Sequence, residues 1–347
     1  MKGKYFVVLL VIVLSFGLGA TASAQKITWR MASSWPAGTE LMYQADLFAK
    51  KVTTMSGGRL EIKSFAGGAI VAPLEVFDAV NRGSIDASHS WSGYWIGKQI
   101  ASPMFASMPM GMDTPQYYTW FYQAGGIALW REMYAKYNFG FVGPCGNVGA
   151  EDFGWSHKPL RNLADFKGLK YRTVGFWGEI LNQLGASVVT LPGGEVYPAL
   201  EKKVIDAGEY SSPAIDYKLA FHEICKYLHG PAYHQQATIL ELIVNKKSWD
   251  KLPKDLQAIV EEAAKSTTLE GWVHGIKEDM FALKKFKEYG TQFVKISPEV
   301  AAEIKKRAEA LYDQKAAKDP FFAKVLKSQR DFLKEYDIWE KQMVPRD

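Results

Sequence analysis

Cysteine is almost absent. With only Cys145 and Cys225 among 347 residues, no disulfide scaffold can hold the chain together, and its order must come from a hydrophobic core. Whether those two pair is open, because a bridge needs Cα atoms within about 7 Å and sequence does not fix that distance. Charge of one sign is also scarce. Forty-two basic and 37 acidic side chains leave a net +5, and the bases are scattered among acids. There is no basic stripe of the kind that follows a phosphate backbone, which excludes nucleic acid as the partner. Beyond the first residues no run reaches the roughly 20 apolar positions of a membrane-spanning helix. The common enzyme signatures are missing as well. Ser90-Trp-Ser92-Gly93 lacks the leading glycine of a nucleophile elbow, and neither a P-loop nor a G-x-G-x-x-G after a strand occurs. His222, Cys225, His229 and His234 are ligand-type residues. Their spacing fits neither H-E-x-x-H nor a zinc knuckle, so histidines at or near the surface are expected there.

What is present is a globular composition, 48% hydrophobic and 23% charged with 30 Gly and 15 Pro, at a length suited to about two domains. Eleven Trp and 17 Tyr exceed what a core of this size needs and point to an aromatic-lined site. The first residues read as an export signal. Lys2 and Lys4 precede an apolar stretch, and Ala22-Ser23-Ala24 supplies the small residues of a cleavage site. Cutting after Ala24 takes 24 residues and two lysines away, leaving 323 residues and +3. The expected product is an exported, soluble, periplasmic protein.

The remainder reads as two α/β halves. Strand patterns at 27–32, 59–65 and 85–91 alternate with helical spacing at 39–56 and 73–82. The same order recurs as strands 169–174, 187–191 and 205–210 with helices 176–184 and 195–202. Residues 75–87 and 195–207 share six of thirteen identities, each ending in Ile-Asp-Ala. Two related lobes with a cleft follow, since ligands of open α/β sheets sit beyond the carboxyl ends of the strands. The residues after each Ile-Asp-Ala, namely 89–94 and Glu209-Tyr210, should face it. Four glycines at 140, 143, 146 and 149 suit a flexible crossover or hinge. The strand 237–245 returns to the first lobe. A helical pattern over 253–289 is interrupted by Gly271 and Gly275, and Ser297-Pro298 caps another helix. The amphipathic tail to Met343 reads equally as docked on its own lobe or packed on a second copy in a homodimer. The expected layout is a signal peptide at 1–24, lobe I at 25–146 and lobe II at 147–235. Residues 236–275 then form the return and connecting helix, and 276–347 the rest of lobe II with the C-terminal helices.

Arg172 closes a short strand at the cleft, where a guanidinium can grip a carboxylate through two parallel hydrogen bonds. Glu209 stands at the corresponding strand end of the partner segment, and Glu151 and Asp152 follow the glycine-rich run. On their own these acids also read as solvated loop residues.

At these residues the chain resembles the solute-binding proteins of TRAP transporters, the DctP family. The resemblance is carried by Ser33-Ser-Trp-Pro36, Gly57-Gly-Arg-Leu60, Gly83-Ser-Ile-Asp-Ala87, Leu163-Ala-Asp-Phe-Lys-Gly-Leu-Lys-Tyr-Arg172, Leu200-Glu-Lys-Lys-Val-Ile-Asp-Ala207 and Val244-Asn-Lys246. It implies a type II periplasmic-binding-protein fold of two lobes with an interlobe cleft, a long connecting helix and an extra C-terminal helix. It also implies transporter membrane subunits as partners and no catalysis. Gly146-Asn-Val-Gly-Ala-Glu151, Gly193-Gly-Glu-Val-Tyr-Pro198 and Asp206-Ala-Gly-Glu-Tyr210 are similar to the branch that binds 2-oxo and 2-hydroxy acids with a cation. There Arg172 clamps the carboxylate, while Glu151, Glu209, the Tyr210 carbonyl and a group near Gln235 hold the cation. The sialic-acid type carries a second base near 151–152, where this chain has two acids. Counting Glu151, Glu209 and a ligand carboxylate against Arg172 leaves −2, which favours Ca2+ over Na+ in a closed cleft. Asn147 is the candidate partner for an oxo or hydroxyl group, and Trp35, Tyr94, Phe176 and Trp177 are candidate walls. The competing reading is an exported metal-dependent hydrolase or lyase using the same carboxylates.

Overall fold

The repeated segments set the plan of the molecule, which a computed structural model describes over residues 26–345; the signal segment 1–24 lies outside the described residues. The strands in chain order are β1 (Ile27–Ser33), β2 (Leu60–Phe65), β3 (Ala87–Ser90), β4 (Phe139–Val148), β5 (Gly154–Ser156), β6 (Lys170–Arg172), β7 (Ser187–Val189), β8 (Ala207–Gly208), β9 (Tyr227–Gly230), β10 (Thr238–Asn245) and β11 (Gln292–Lys295). One sheet runs β2-β1-β3-β10-β4 and the other β7-β6-β8-β5-β9-β11. Position by position the two orders match. Each begins with three parallel strands and continues with an antiparallel pairing on either side of the fourth strand. In the second sheet, β11 adds a parallel edge beside β9.

The Ile-Asp-Ala repeat has a structural cause. Asp86 Oδ2 accepts from Arg30 N–H at 2.8 Å, and Asp206 Oδ2 accepts from Lys170 N–H at 2.9 Å. The amides of the same aspartates donate back to the Arg30 and Lys170 carbonyls. Each aspartate thus starts the parallel ladder beside its central strand, while Ile85 and Ile205 are buried beneath. The strand expected at 205–210 contracts to Ala207–Gly208, because the Glu209 carbonyl accepts from the Arg172 guanidinium instead of joining the ladder.

The glycine-rich run is a well-packed strand, β4, rather than a loose crossover; its Gly140 backbone lies against the Trp249 ring. The chain passes between lobes only after it, over 149–153. The helix Lys254–Tyr289 is unbroken through Gly271 and Gly275. At Gly271 the missing side chain admits Gln44, whose amide pairs with both the N–H and the carbonyl of Asn147 at 2.9 and 3.1 Å. This helix packs on β4 and the helix Glu40–Met55 of the first lobe and on Pro213–Lys218 of the second, so it braces both.

Ser297 caps the helix Pro298–Ala316, with Pro298 in its first turn. The last helix, Pro320–Met343, buries Phe322, Val325 and Leu326 in its first half against helices Thr114–Gln123 and Gly126–Met133. Its distal turns expose Ile338, Trp339 and Met343. Cys145 and Cys225 are separate buried thiols. Among the described residues no helix is long and apolar enough to cross a membrane.

Candidate functional site: a cavity between the lobes

The carboxyl ends of the parallel strands in both sheets meet at one small cavity, the position the topology requires. From the first lobe come Trp35, after β1, and Trp91 and Tyr94, after β3; the second contributes Arg172, Glu209 and Tyr210. Glu151, Gln235 and Thr238 enter from the segments that join the lobes. The lobes are closed, since Arg172, Glu209 and Glu151 are all buried.

Arg172 is fixed by backbone carbonyls. Its Nε and Nη2 donate to Leu191 O at 3.0 and 2.8 Å, and Nη1 donates to Glu209 O at 2.6 Å. Of five guanidinium N–H groups, two remain for a ligand or for the Glu209 carboxylate 3.5 Å away. The Tyr210 ring lies under the guanidinium at 5.3 Å, close enough for a cation–π contact. Burial raises the Glu209 carboxyl above its usual range, against the opposing pull of Arg172.

Glu151 is held on one side only. Its Oε1 accepts from Thr238 Oγ1 at 2.7 Å, Gln235 Nε2 at 2.8 Å and Ser211 Oγ at 3.3 Å, whereas Oε2 is buried without a partner. None of these partners is a cation. Burial, and after it the charge of Glu209, pushes the Glu151 carboxyl well above the carboxylate range. Asp152 is buried too, and burial together with Asp216 drives it upward; burial takes Asp216 to about 8. The cluster therefore holds two acids, Asp152 and Asp216, beyond the sequence count, and burial disfavours the charged forms when no cation is near. A carboxylate oxygen orphaned in a closed acidic pocket fits a bound cation, and two carboxylates with the Gln235 side chain are a donor set suited to Ca2+ or Na+.

Seven expected residues are brought together at the cavity: Arg172, Glu151, Glu209, Tyr210, Gln235, Tyr94 and Trp35. Two are not. Phe176 lies in the first turn of helix Gly175–Gln183 and faces away, its ring against Tyr312 and Phe322 under the C-terminal helices. Asn147 is consumed inside the first lobe, its amide donating to the Thr238 and Val148 carbonyls and accepting from Thr114 Oγ1. Trp177 packs on Phe153 and His234, outside the lining. His229 and His234, expected at or near the surface, are fully buried. Sequence reading passed over Thr238 and Ser211, which carry no motif. His89, first of the 89–94 stretch expected to face the cleft, accepts at Nδ1 from Trp35 Nε1 at 2.7 Å and so holds that wall in place.

Residues 31–319 match the family of bacterial extracellular solute-binding proteins, family 7, DctP. The chain belongs to this family. It is 34% identical, over 92% of its length and 88% of the relative's, to a monocarboxylate 2-oxoacid-binding periplasmic protein of Nostoc sp.. Two solved solute-binding proteins of TRAP transporters superpose at TM-score 0.88. One, from Pseudoalteromonas atlantica, holds sodium and pyruvate, is 35% identical, and is covered over 97% against 92% of this chain. The other, from Colwellia psychrerythraea, holds calcium and pyruvate, is 33% identical, and is covered over 98% against the same 92%. This DctP protein thus has the two-lobe fold of the extracytoplasmic TRAP receptors for small acids, which bind their solute and do not transform it.

Proposed function

We propose that this protein captures a 2-oxo or 2-hydroxy monocarboxylate between Arg172 and a cation held by Glu151 and Glu209, with Tyr210 and Gln235 completing the set. It acts outside the cytoplasmic membrane after cleavage near Ala24 and hands the acid to the membrane subunits of its transporter. The observation that carries this reading is the pairing of a guanidinium pinned by three backbone-carbonyl bonds, with the Glu209 carboxylate 3.5 Å away, and a buried carboxylate oxygen without a partner. A carboxylate entering the cavity satisfies the first and shares the cation of the second.

The magnitudes require both halves. A charge-assisted hydrogen-bonded contact contributes roughly 1.5–3 kcal/mol, whereas micromolar binding needs about 8 kcal/mol. The cation supplies positive charge at the carboxylates, and Trp35, Trp91 and Tyr94 exclude water and pack on the acid's side group. Charge balance in a closed cavity favours a divalent ion over Na+. The lobes would open about the joining segments near 149–153 and 235–238, the sheet of β1–β4 and β10 moving against that of β5–β9 and β11. The exposed Ile338, Trp339 and Met343 of the last helix would pack on a second copy of the chain.

Thermal shift over a panel of 2-oxo, 2-hydroxy and dicarboxylic acids, with and without chelator, tests the reading. Monocarboxylates with a 2-oxo or 2-hydroxy group should stabilise the protein only when cation is present. Equal stabilisation after chelation sinks the cation half, and turnover of any of these acids would revive the hydrolase alternative.

A further inference from the structure

Three histidines are fully buried: His89, His229 and His234. Two have both ring nitrogens engaged. His89 pairs with Trp35 Nε1 and the Cys145 carbonyl, and His229 with the Gly154 carbonyl and the Leu160 amide. His234 has no hydrogen-bond partner at either nitrogen. Leaving two polar atoms of a buried ring unpaired is costly unless something else satisfies them. The ring is held between Phe153 and Trp177, with centroids at 5.5 and 5.6 Å. One of its nitrogens and one carboxylate oxygen each from Glu151 and Glu209 all lie within 4.8 Å of one another. Metal–ligand bonds of about 2.0–2.4 Å span donors at such separations.

We infer that His234 is a third side-chain ligand of the cation in this cleft, and that the dication the site prefers is one that accepts an imidazole nitrogen, such as Mn2+, Co2+ or Zn2+, ahead of Ca2+. The inference rests on the reading that the cleft holds a cation, and goes beyond it in naming the ligand and the class of ion. Two carboxylates alone suit Ca2+. Adding one imidazole moves the preference towards first-row transition ions, which bind mixed nitrogen and oxygen sets more tightly.

Pulsed electron paramagnetic resonance on Mn2+ added to the metal-stripped full chain tests this directly. The spectrum should carry the coupling of a directly bound imidazole nitrogen and change when histidine is supplied with nitrogen-15. In His234→Phe that coupling should vanish and the Mn2+ Kd rise by at least about tenfold. In competition, Co2+ should displace Ca2+ at a lower concentration than Ca2+ displaces Co2+. Mn2+ binding that is abolished in Glu209→Gln but shows no nitrogen coupling in the wild type overturns the role of His234 and leaves the cation reading standing. Nitrogen coupling that persists in His234→Phe comes from another histidine and also overturns it. If neither Mn2+ nor Ca2+ binds, both readings fall. The wild-type spectrum alone decides the matter should His234→Phe not fold.

Discussion

Arg172 recognises by geometry as much as by charge. Three of its N–H groups are committed to backbone carbonyls, so the guanidinium is held in place before any ligand arrives and little side-chain entropy is lost on binding. A lysine would keep the charge and lose the fork. Arg172→Lys should therefore weaken acid binding by at least about tenfold, or 1.4 kcal/mol, while cation affinity measured by calorimetry stays within a few-fold. Unchanged acid affinity would remove the clamp from the account. Thr238 acts one step back, through its 2.7 Å hydrogen bond to Glu151. That bond lowers a carboxyl that burial and Glu209 raise, so Thr238→Val should raise it further. Less Glu151 is then ionised at a given pH, and calcium titrations should show the onset of binding displaced to higher pH; a displacement to lower pH would contradict this. Arg172 was legible through the family resemblance carried by Leu163–Arg172, since its place at a strand end beside Gly175 fits a solvated surface arginine equally well. Phe176 was misjudged because helical spacing does not reveal which side of the first turn faces a cavity. His234 was set aside as a ligand because its spacing to His222, Cys225 and His229 fits no metal motif, whereas the acids it lies near, Glu151 and Glu209, are remote in sequence.

At the level of elements, the two helix–strand repeats were legible because the six identities among thirteen aligned positions include the buried isoleucine and the ladder-starting aspartate. The packing of the glycines was not. Gly271 looks like a helix interruption in sequence, yet it is the space through which Gln44 reaches Asn147. Replacing it with alanine improves helix propensity by up to about 1 kcal/mol but drives a Cβ into the Gln44 side chain. Overpacking of this kind typically costs about 1–3 kcal/mol. Chemical denaturation of Gly271→Ala should show a net loss, and a gain would mean that Gln44 moves aside freely. The tail helix divides the same way. Its first half is anchored by the 2.7 Å bond from Gln329 Nε2 to the Met104 carbonyl, whereas its distal turns present Trp339 at 50% exposure. Removing residues 335–347 should leave the thermal stability of the monomer nearly unchanged and abolish any dimer seen by sedimentation velocity. A dimer that survives the truncation would assign association to another face.

Across the whole molecule, buried carboxyls make stability depend on pH in an uncommon direction. Glu241, on β10, accepts from Trp95 Nε1 at 2.8 Å and Trp130 Nε1 at 3.2 Å, and burial pushes it up to about 7; Asp216 is pushed to about 8. A carboxyl raised in the fold stabilises it fully below the unfolded value, near 4, and that contribution is lost as pH rises through the folded value. The buried histidines His89, His229 and His234, lowered to about 3 or 4, work in the opposite sense, but their contribution is complete above about pH 6.5. Between pH 6.5 and about 8 the carboxyls dominate, so the Tm of the metal-free protein should fall over that range. Glu241→Gln should flatten the lower part of the fall. A Tm that rises there would mean these carboxyls are ionised throughout.

The two lobes, the closed cavity and its excess of acid converge on one claim, that acid and cation are bound together. Calorimetric titration of pyruvate, the acid held by two of the related structures, into chelator-stripped wild-type protein tests it most directly, with the cation then restored. The account predicts micromolar binding with the cation and loss of that binding without it. Equal affinity in its absence would contradict the account.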